Sequence, residues 1–196
     1  MRVLLIGGTS HAGKSTLAAC MARRRGWPCV STDKLARHPG RPWAQAPASV
    51  PLHVVEHYQG LETDALIASV MAHYRAMQPT IRDLVARHAA PESEQGLVLE
   101  GSAILPAEAA PLLGPQVRAV WLTAADELIA RRMRRESGYA DRDAPGRALI
   151  DKFLARTLSF NRLVGEDARR LGWPCIEVRE VMTSDAVADA VEERLV

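Results

Sequence analysis

The 196-residue chain is long enough for one domain with a full hydrophobic core. Apolar residues make up 47% and charged residues 24%, as is ordinary for a soluble globular protein, and a net charge of +2 is too small to indicate nucleic-acid binding. Three cysteines without paired spacing argue against a disulfide framework, and no apolar stretch approaches the ~20 residues that span a bilayer. We therefore predict a single cytoplasmic domain, residues 1–196, that binds neither membranes nor nucleic acid.

Strand-like and helix-like segments alternate along the chain, which predicts an α/β fold with a parallel sheet. Five strands are predicted at residues 3–6, 28–31, 97–99, 117–122 and 175–178. Helices are predicted at 15–25, at 54–90 with a break near Pro79, at 126–135, from the turn-rich stretch 137–146 to about 171, and from a Ser184 cap to 195. Residues 34–52 are rich in proline, glycine and arginine and predict an irregular loop.

The tetrapeptide Gly-Trp-Pro-Cys occurs twice, at residues 26–29 and 172–175. Each copy follows an arginine-rich helix end and precedes a predicted strand. We interpret both copies as the same helix-to-strand connection, because glycine ends a helix and proline prevents its continuation.

The most specific motif is Gly-Thr-Ser-His-Ala-Gly-Lys-Ser-Thr at residues 8–16, which matches Gly, four residues, then Gly-Lys-Ser/Thr between a strand and a helix. A polyphosphate needs several backbone N–H groups at a helix N-terminus, and glycines let the chain curl around it. Lys14 can reach the β- and γ-phosphates, and the Ser15 hydroxyl suits Mg²⁺. The motif therefore predicts binding of ATP and Mg²⁺ through Gly8, His11, Ala12, Gly13, Lys14, Ser15 and Thr16.

Two carboxylates follow predicted strands: Asp33 comes just after the second strand, and Glu100 closes the third. Ligands gather at the carboxyl ends of parallel strands, so Asp33 can orient an acceptor hydroxyl and take its proton. Glu100 can bind Mg²⁺, directly or through water, or hold the substrate together with Gly101. Two alternatives remain, since Asp33 can cap a helix that starts at Lys34 and Glu100 can pair with a buried arginine.

Arginines are concentrated around the end of the helix predicted at 126–135. Arg131 and Arg135 share one helix face, and residues 136–147, with Arg142 and Arg147, form a candidate lid. Lid arginines can neutralise the charge that develops on a transferred phosphoryl group. Exposed arginines on a solvated helix give the same pattern.

These features together resemble the P-loop small-molecule kinases, a group that includes shikimate, gluconate, nucleoside, chloramphenicol and 2-phosphoglycerate kinases. The resemblance lies in residues 7–16, Ser-Thr-Asp at 31–33, Leu-Glu-Gly-Ser at 99–102 and the stretch 153–161. It implies a three-layer α/β sandwich with a five-stranded parallel sheet in the order 2-3-1-4-5. It further implies that Asp33 binds substrate or acts as base, and that Arg131 or Arg135 contacts the nucleotide.

The resemblance also implies a helical substrate lobe at residues 34–95, in which Arg37 and Arg41 suit an anionic acceptor and Trp43 can stack on a ring. Loop residues of these types are also common as surface or packing residues. The chain departs from the group in lacking a hydrophobic run followed by a Mg²⁺-binding aspartate.

The leading expectation is an ATP-dependent phosphotransferase that moves the γ-phosphoryl group to a hydroxyl or phosphate of a small molecule. The alternative is a nucleotide-binding regulatory NTPase without a small-molecule acceptor, although the sequence has no Asn-Lys-x-Asp base-recognition motif. The sequence leaves open whether the protein is a monomer or a homodimer.

Overall fold

The computed structural model describes residues 1–36, 38–44 and 48–195. Five parallel strands form one sheet in the order β2-β3-β1-β4-β5. They are β1 Val3–Gly8, β2 Cys29–Ser31, β3 Leu97–Glu100, β4 Val117–Ala124 and β5 Cys175–Val178. The predicted strand order is confirmed, and β1 and β4 each run two residues further than predicted. Since all strands are parallel, their carboxyl ends lie along one edge of the sheet.

The helices of the described chain are α1 Lys14–Arg25, α2 Leu52–Gly60, α3 Thr63–Ala76, α4 Gln78–Ala89, α5 Pro106–Ala109, α6 Asp126–Ser137, α7 Ala144–Arg170 and α8 Ser184–Glu192. Short 3₁₀ turns occur at Thr32–Lys34, Ala110–Leu112 and Tyr139–Asp141. Among these described segments, none of the helices combines the length and the apolar character that crossing a membrane requires.

Strand β1 shows why helices cover both faces of the sheet. Its side chains alternate, so that Val3 and Leu5 lie on one face and Leu4 and Ile6 on the other, all fully buried. The first pair packs in a core with α4, α5 and α7, and the second pair packs in a core with α1 and α8. The predicted three-layer α/β sandwich is therefore confirmed.

A third apolar core joins α2, α3, α6 and α7 beside the carboxyl end of β4. Trp43, from the loop before α2, packs edge-on against Phe153 of α7, with 5.1 Å between the ring centroids. Tyr58 of α2 is fully buried in the same core. Helix α4 belongs instead to the core under the sheet, although it also falls within the range 34–95.

Three details of the helix ends test the sequence interpretation. Gly26 and Gly172 have φ of 65° and 71° and follow α1 and α7, so both Gly-Trp-Pro-Cys copies end a helix as predicted. The predicted break near Pro79 falls at Met77 instead, because proline fits the first turn of α4, where no N–H partner is required. The predicted Ser184 cap is wrong: Thr183 caps α8, and its hydroxyl accepts from the Ala186 N–H at 3.1 Å.

Candidate functional site

The phosphate loop (residues 8–16) runs from the end of β1 into the first turn of α1 and contains three residues with positive φ. Gly8, His11 and Gly13 have φ of 133°, 64° and 102°. A Cβ on Gly8 would overlap the carbonyl oxygen of Leu122, so only glycine fits where the loop leaves the sheet. A loop curled in this way at the start of a helix turns backbone N–H groups towards a common point, which suits a phosphate.

Lys14 is buried at the start of α1, and its Nζ donates a hydrogen bond of 2.7 Å to the carbonyl oxygen of Thr9 across the loop. Burial lowers the pKa of Lys14, while the negative charges of Glu100 and Asp33 act in the opposite direction. The ammonium is thus held inside the loop, with two carboxylates close enough to affect its charge. A triphosphate would add negative charge at this point and offset the cost of burying the cation.

Ser15 and Glu100 meet because β3 lies next to β1, with Ile6 in register with Glu100. The Ser15 hydroxyl donates to Oε1 of Glu100 at 3.2 Å, and Glu100 is only 5% exposed. Within the described residues Glu100 makes no ion pair with an arginine, so the predicted alternative of a buried Arg–Glu pair is not observed. A hydroxyl and a carboxylate are oxygen ligands of the type Mg²⁺ prefers, so the pair fits this ion.

Asp33 lies in the 3₁₀ turn that follows β2, with its side chain exposed to the cleft. Ser31 occupies the position before this turn and no side chain caps it, so Asp33 does not serve as a helix cap. The turn is close to Gly101, whose φ is 150° and whose Cβ, if present, would overlap the Thr32 hydroxyl. Gly101 thus allows the ends of β2 and β3 to approach each other.

The arginines of α6 are divided between the cleft and the surface. Arg135 lines the cleft beside the phosphate loop, as does Arg132, whose Nη1 donates to the carbonyl oxygen of His11 at 2.9 Å. Arg131 lies outside this cleft, exposed and paired with Glu180 at 2.6 Å. Arg131 and Arg135 both lie in α6, one helical turn apart, as predicted, but Arg132 is the arginine that contacts the phosphate loop.

Two arginines of the candidate lid donate hydrogen bonds to their own segment, and one of them also donates to the loop before α2. Arg142 donates through Nε to the Ser137 carbonyl oxygen and through Nη2 to that of Ala44, both at 2.9 Å. Arg147 donates to the carbonyl oxygens of Tyr139 and Ala140. In this arrangement both arginines stabilise the turn between α6 and α7.

Glu136 connects the loop before α2 to the phosphate loop. One carboxylate oxygen pairs with Arg41, and the other lies 3.1 Å from Nε2 of His11. Burial lowers the pKa of His11 to about 4, and the charges of Arg41, Lys14 and Arg132 act in the same direction. The ring is therefore neutral near pH 7, and since a carboxylate only accepts, Nε2 carries the proton.

Two cavities meet at the phosphate loop. The first, of about 600 Å³, is lined by the loop and by Glu100, Arg132 and Arg135. The second, of about 540 Å³, extends towards α3 and α7 and is lined by residues that include Trp43 and Tyr74. The residues common to both cavities are Ser10, Asp33 and Arg41.

Helix α7 reaches the same region from the other side. The Thr9 hydroxyl donates to the carbonyl oxygen of Thr157 at 3.1 Å, which joins the phosphate loop to this helix. The preceding residue, Arg156, lines the second cavity.

The structure brings most of the predicted site residues to one place. The cleft is lined by His11, Gly13, Lys14, Ser15, Thr16, Asp33, Arg41, Glu100 and Arg135. Gly8, Ala12 and Gly101 form its backbone frame, and Arg37 lies outside the described residues. Sequence reasoning missed Arg132, Glu136 and Arg156. The available signal for Arg156 was an arginine among the apolar positions of α7, between Phe153 and Phe160.

The sheet order and the phosphate loop define a P-loop nucleotide-binding fold. No protein-family model matches the sequence, and no curated protein matches it. Solved structures do: a gluconokinase from Sinorhizobium meliloti 1021 gives a TM-score of 0.55 at 18% identity, covering 98% of this chain and 90% of that chain. Deoxyadenosine kinase from M. mycoides with bound dCTP gives 0.54 at 11% identity and covers 98% of each chain. A sugar kinase from Janibacter sp. HTCC2649 gives 0.50 at 15% identity, covering 100% and 94%. At these identities the likeness concerns the fold, which is that of P-loop small-molecule kinases.

Proposed function

We propose that this protein is an ATP-dependent kinase that transfers the γ-phosphoryl group to a small molecule bound in the second cavity. The observation that carries the proposal is that two cavities meet beside Lys14 and share Asp33 and Arg41. One cavity has the phosphate loop that a triphosphate needs, and the other can hold an acceptor next to the γ-phosphate. The structural likeness to a gluconokinase, a sugar kinase and a deoxyadenosine kinase supports this class of reaction.

The nucleotide side of the site has the following proposed roles. The backbone N–H groups of the phosphate loop bind the phosphates, and Lys14 neutralises the β- and γ-phosphate charge. Ser15 and Glu100 hold Mg²⁺, which supplies further charge neutralisation on the phosphates when bound. Arg135 faces the same cleft and stabilises charge on the phosphoryl group during transfer, while Arg132 fixes the loop through the His11 carbonyl.

The acceptor side depends on Asp33 and Arg41. The acceptor oxygen forms the new bond to the γ-phosphorus as the bond from that phosphorus to the bridging oxygen of ADP breaks, and the acceptor proton passes to the Asp33 carboxylate. Arg41 lines both cavities, and Gly101 contributes by letting Thr32, the residue before Asp33, lie close to the end of β3. We propose residues 34–95, except α4, which packs under the sheet, as the substrate lobe and residues 136–147 as the lid of a single domain; the cytoplasmic location and the oligomeric state stay predictions.

Two variants test this function. Lys14→Met removes the loop cation, and we expect nucleotide affinity to fall at least about tenfold, because charged hydrogen bonds contribute about 1.5–3 kcal/mol. Asp33→Asn should keep nucleotide affinity within about threefold and reduce acceptor-dependent ADP release by about 10²–10⁴-fold. Asp83→Asn, at an exposed position of α4, is the matched control.

Affinity is measured by calorimetry with a non-hydrolysable ATP analogue and Mg²⁺, and turnover by ADP release across hydroxylated metabolites. A wild-type protein that fails to bind the analogue refutes the kinase proposal. A protein that binds it but releases ADP at one slow rate with every acceptor favours the regulatory NTPase. Full turnover in Asp33→Asn removes the role given to that residue.

A further inference from the structure

Arg156 of α7 is a buried cation without a carboxylate partner in the described part of the chain. Its exposure is 7%, and none of the ion pairs among residues 1–36, 38–44 and 48–195 includes it. Its Nη1 donates to the Tyr58 hydroxyl at 3.1 Å, and its guanidinium carbon lies 4.4 Å from the ring centroid of Phe153. These two neighbours hold the side chain in place but do not neutralise its charge.

An unpaired arginine in this position is costly. Arginine stays protonated under all ordinary conditions, and a buried ion loses favourable hydration that only an opposite charge or well-placed hydrogen bonds can offset. The charge of Arg156 also affects its surroundings. The pKa of His38 is lowered to about 3, first by burial and second by the positive charge of Arg156. His38 is therefore neutral near pH 7 and adds no positive charge of its own.

The carboxylate and guanidinium side chains that line the second cavity in the described residues are Asp33, Arg41 and Arg156, and the histidines there are His38 and His73. Asp33 is negative, and Arg41 is already paired with Glu136. Arg156 is consequently the arginine of this cavity that has no carboxylate partner among the described residues.

We infer that the acceptor is an anion, with a carboxylate or phosphate group that binds Arg156 and a hydroxyl that faces Asp33. This inference rests on the proposed function, because it names the class of molecule that fills the acceptor cavity. A planar guanidinium pairs with either oxyanion through two parallel hydrogen bonds, which an uncharged polyol or nucleoside cannot replace. Uncharged acceptors leave the cation unpaired and bind weakly.

The test uses the whole protein with its phosphate loop filled by a non-hydrolysable ATP analogue and Mg²⁺, so that small anions cannot bind there. We titrate three compounds by calorimetry at constant ionic strength: inorganic phosphate, gluconate and an uncharged six-carbon polyol, the hexitol. Each ligand concentration is raised to about 50 mM, because we expect millimolar affinity from one charged pair. We expect saturable binding of phosphate or gluconate and none of the hexitol. The stronger of the two anions distinguishes a phosphate from a carboxylate acceptor.

Three variants complete the experiment. Arg156→Gln should weaken binding of the anion at least about tenfold. Arg156→Lys keeps the charge but loses the planar fork, so its affinity should lie between those of Arg156→Gln and the wild type. Arg162→Gln is the control, since Arg162 lies on the same helix but is exposed and paired with Asp126. Affinity for the ATP analogue, measured first, reports whether each variant is folded.

The outcomes separate the two proposals. If the wild type binds the analogue but neither anion better than the hexitol, the anionic acceptor is refuted while the kinase proposal stands. Equal anion affinity in Arg156→Gln and wild type, with analogue affinity unchanged, also overturns the assignment to Arg156. Failure of the wild type to bind the analogue refutes the proposed function itself.

Discussion

Gly101 offers a direct test of how the ends of β2 and β3 position the acceptor side of the site. The substitution Gly101→Ala introduces a Cβ that would overlap the Thr32 hydroxyl and lie 2.8 Å from the Thr32 Cβ. Ordinary carbon–carbon contacts are about 3.5–4.0 Å, so Thr32 must move by about 1 Å. Asp33 is the next residue and must move with it.

The expected loss of stability has two parts. A backbone φ of 150° is nearly restricted to glycine and adds about 1–3 kcal/mol of strain for alanine. The steric overlap adds about 1–3 kcal/mol. The sum, about 2–6 kcal/mol, is a large part of the stability of a typical domain. In the fraction that folds, a displacement of about 1 Å at Asp33 should reduce acceptor-dependent turnover by about 10²-fold.

Urea unfolding measures the stability term, and ADP release measures the turnover. Thr32→Ala is the matched partner, because the Thr32 hydroxyl is buried without a hydrogen bond among the described residues and its removal costs little. The double variant should recover the part of the overlap energy that comes from the Thr32 hydroxyl, but neither the contact between the two Cβ atoms nor the backbone strain. Our reasoning fails if Gly101→Ala is as stable as wild type, or if adding Thr32→Ala restores none of the lost stability.

Two further predictions concern titration and charge. The pKa of His38 is about 3 in the folded protein against 6.5 when unfolded, so stability is fully present above about pH 6.5 and falls as the pH drops towards 3. Allowing for partial solvent screening, we expect about 1–2 kcal/mol of the acid-induced loss of stability to disappear in His38→Gln but not in the exposed control His53→Gln. Urea unfolding near pH 7 and pH 4 measures the difference. Equal losses of stability in both variants and the wild type would contradict this. Glu136→Gln removes a negative charge from the nucleotide cleft and weakens the interaction with Arg41. We therefore expect ATP affinity to rise about 3–10-fold and to depend more steeply on salt concentration. A weaker affinity in the calorimeter would show that the carboxylate serves nucleotide binding.

Much of the fold was accessible from local patterns. Buried strands that end in glycine, and the two Gly-Trp-Pro-Cys connections, depend on interactions within a few residues, and the structure has them as predicted. The phosphate loop is similarly local, since its shape follows from Gly8 and Gly13 and from the helix that begins at Lys14. The strand order inferred from the resemblance places the strand of Glu100 beside β1, and the structure shows that Glu100 contacts Ser15 there.

Contacts between distant segments were not accessible in this way. Helical spacing places Arg131 and Arg132 on different faces of α6, but which face meets the phosphate loop depends on how α6 packs against α7. The role of Glu136 as a bridge requires the loop before α2 to fold back over α6, and no short-range pattern encodes that approach. Arg156 stands out among the apolar positions of α7, but helical spacing does not show that its side chain reaches the second cavity.

The hydrogen bond between the Thr9 hydroxyl and the Thr157 carbonyl has a consequence for which molecules can react. It fixes the phosphate loop to the turn of α7 that carries Arg156, so the separation between the γ-phosphate position and the guanidinium is set by the protein. An acceptor must therefore have its reactive oxygen and its charged end at a matching distance. Under the proposed function, homologous compounds with one carbon more or fewer should react at sharply different rates, so that chain length would be the property by which the site selects its acceptor.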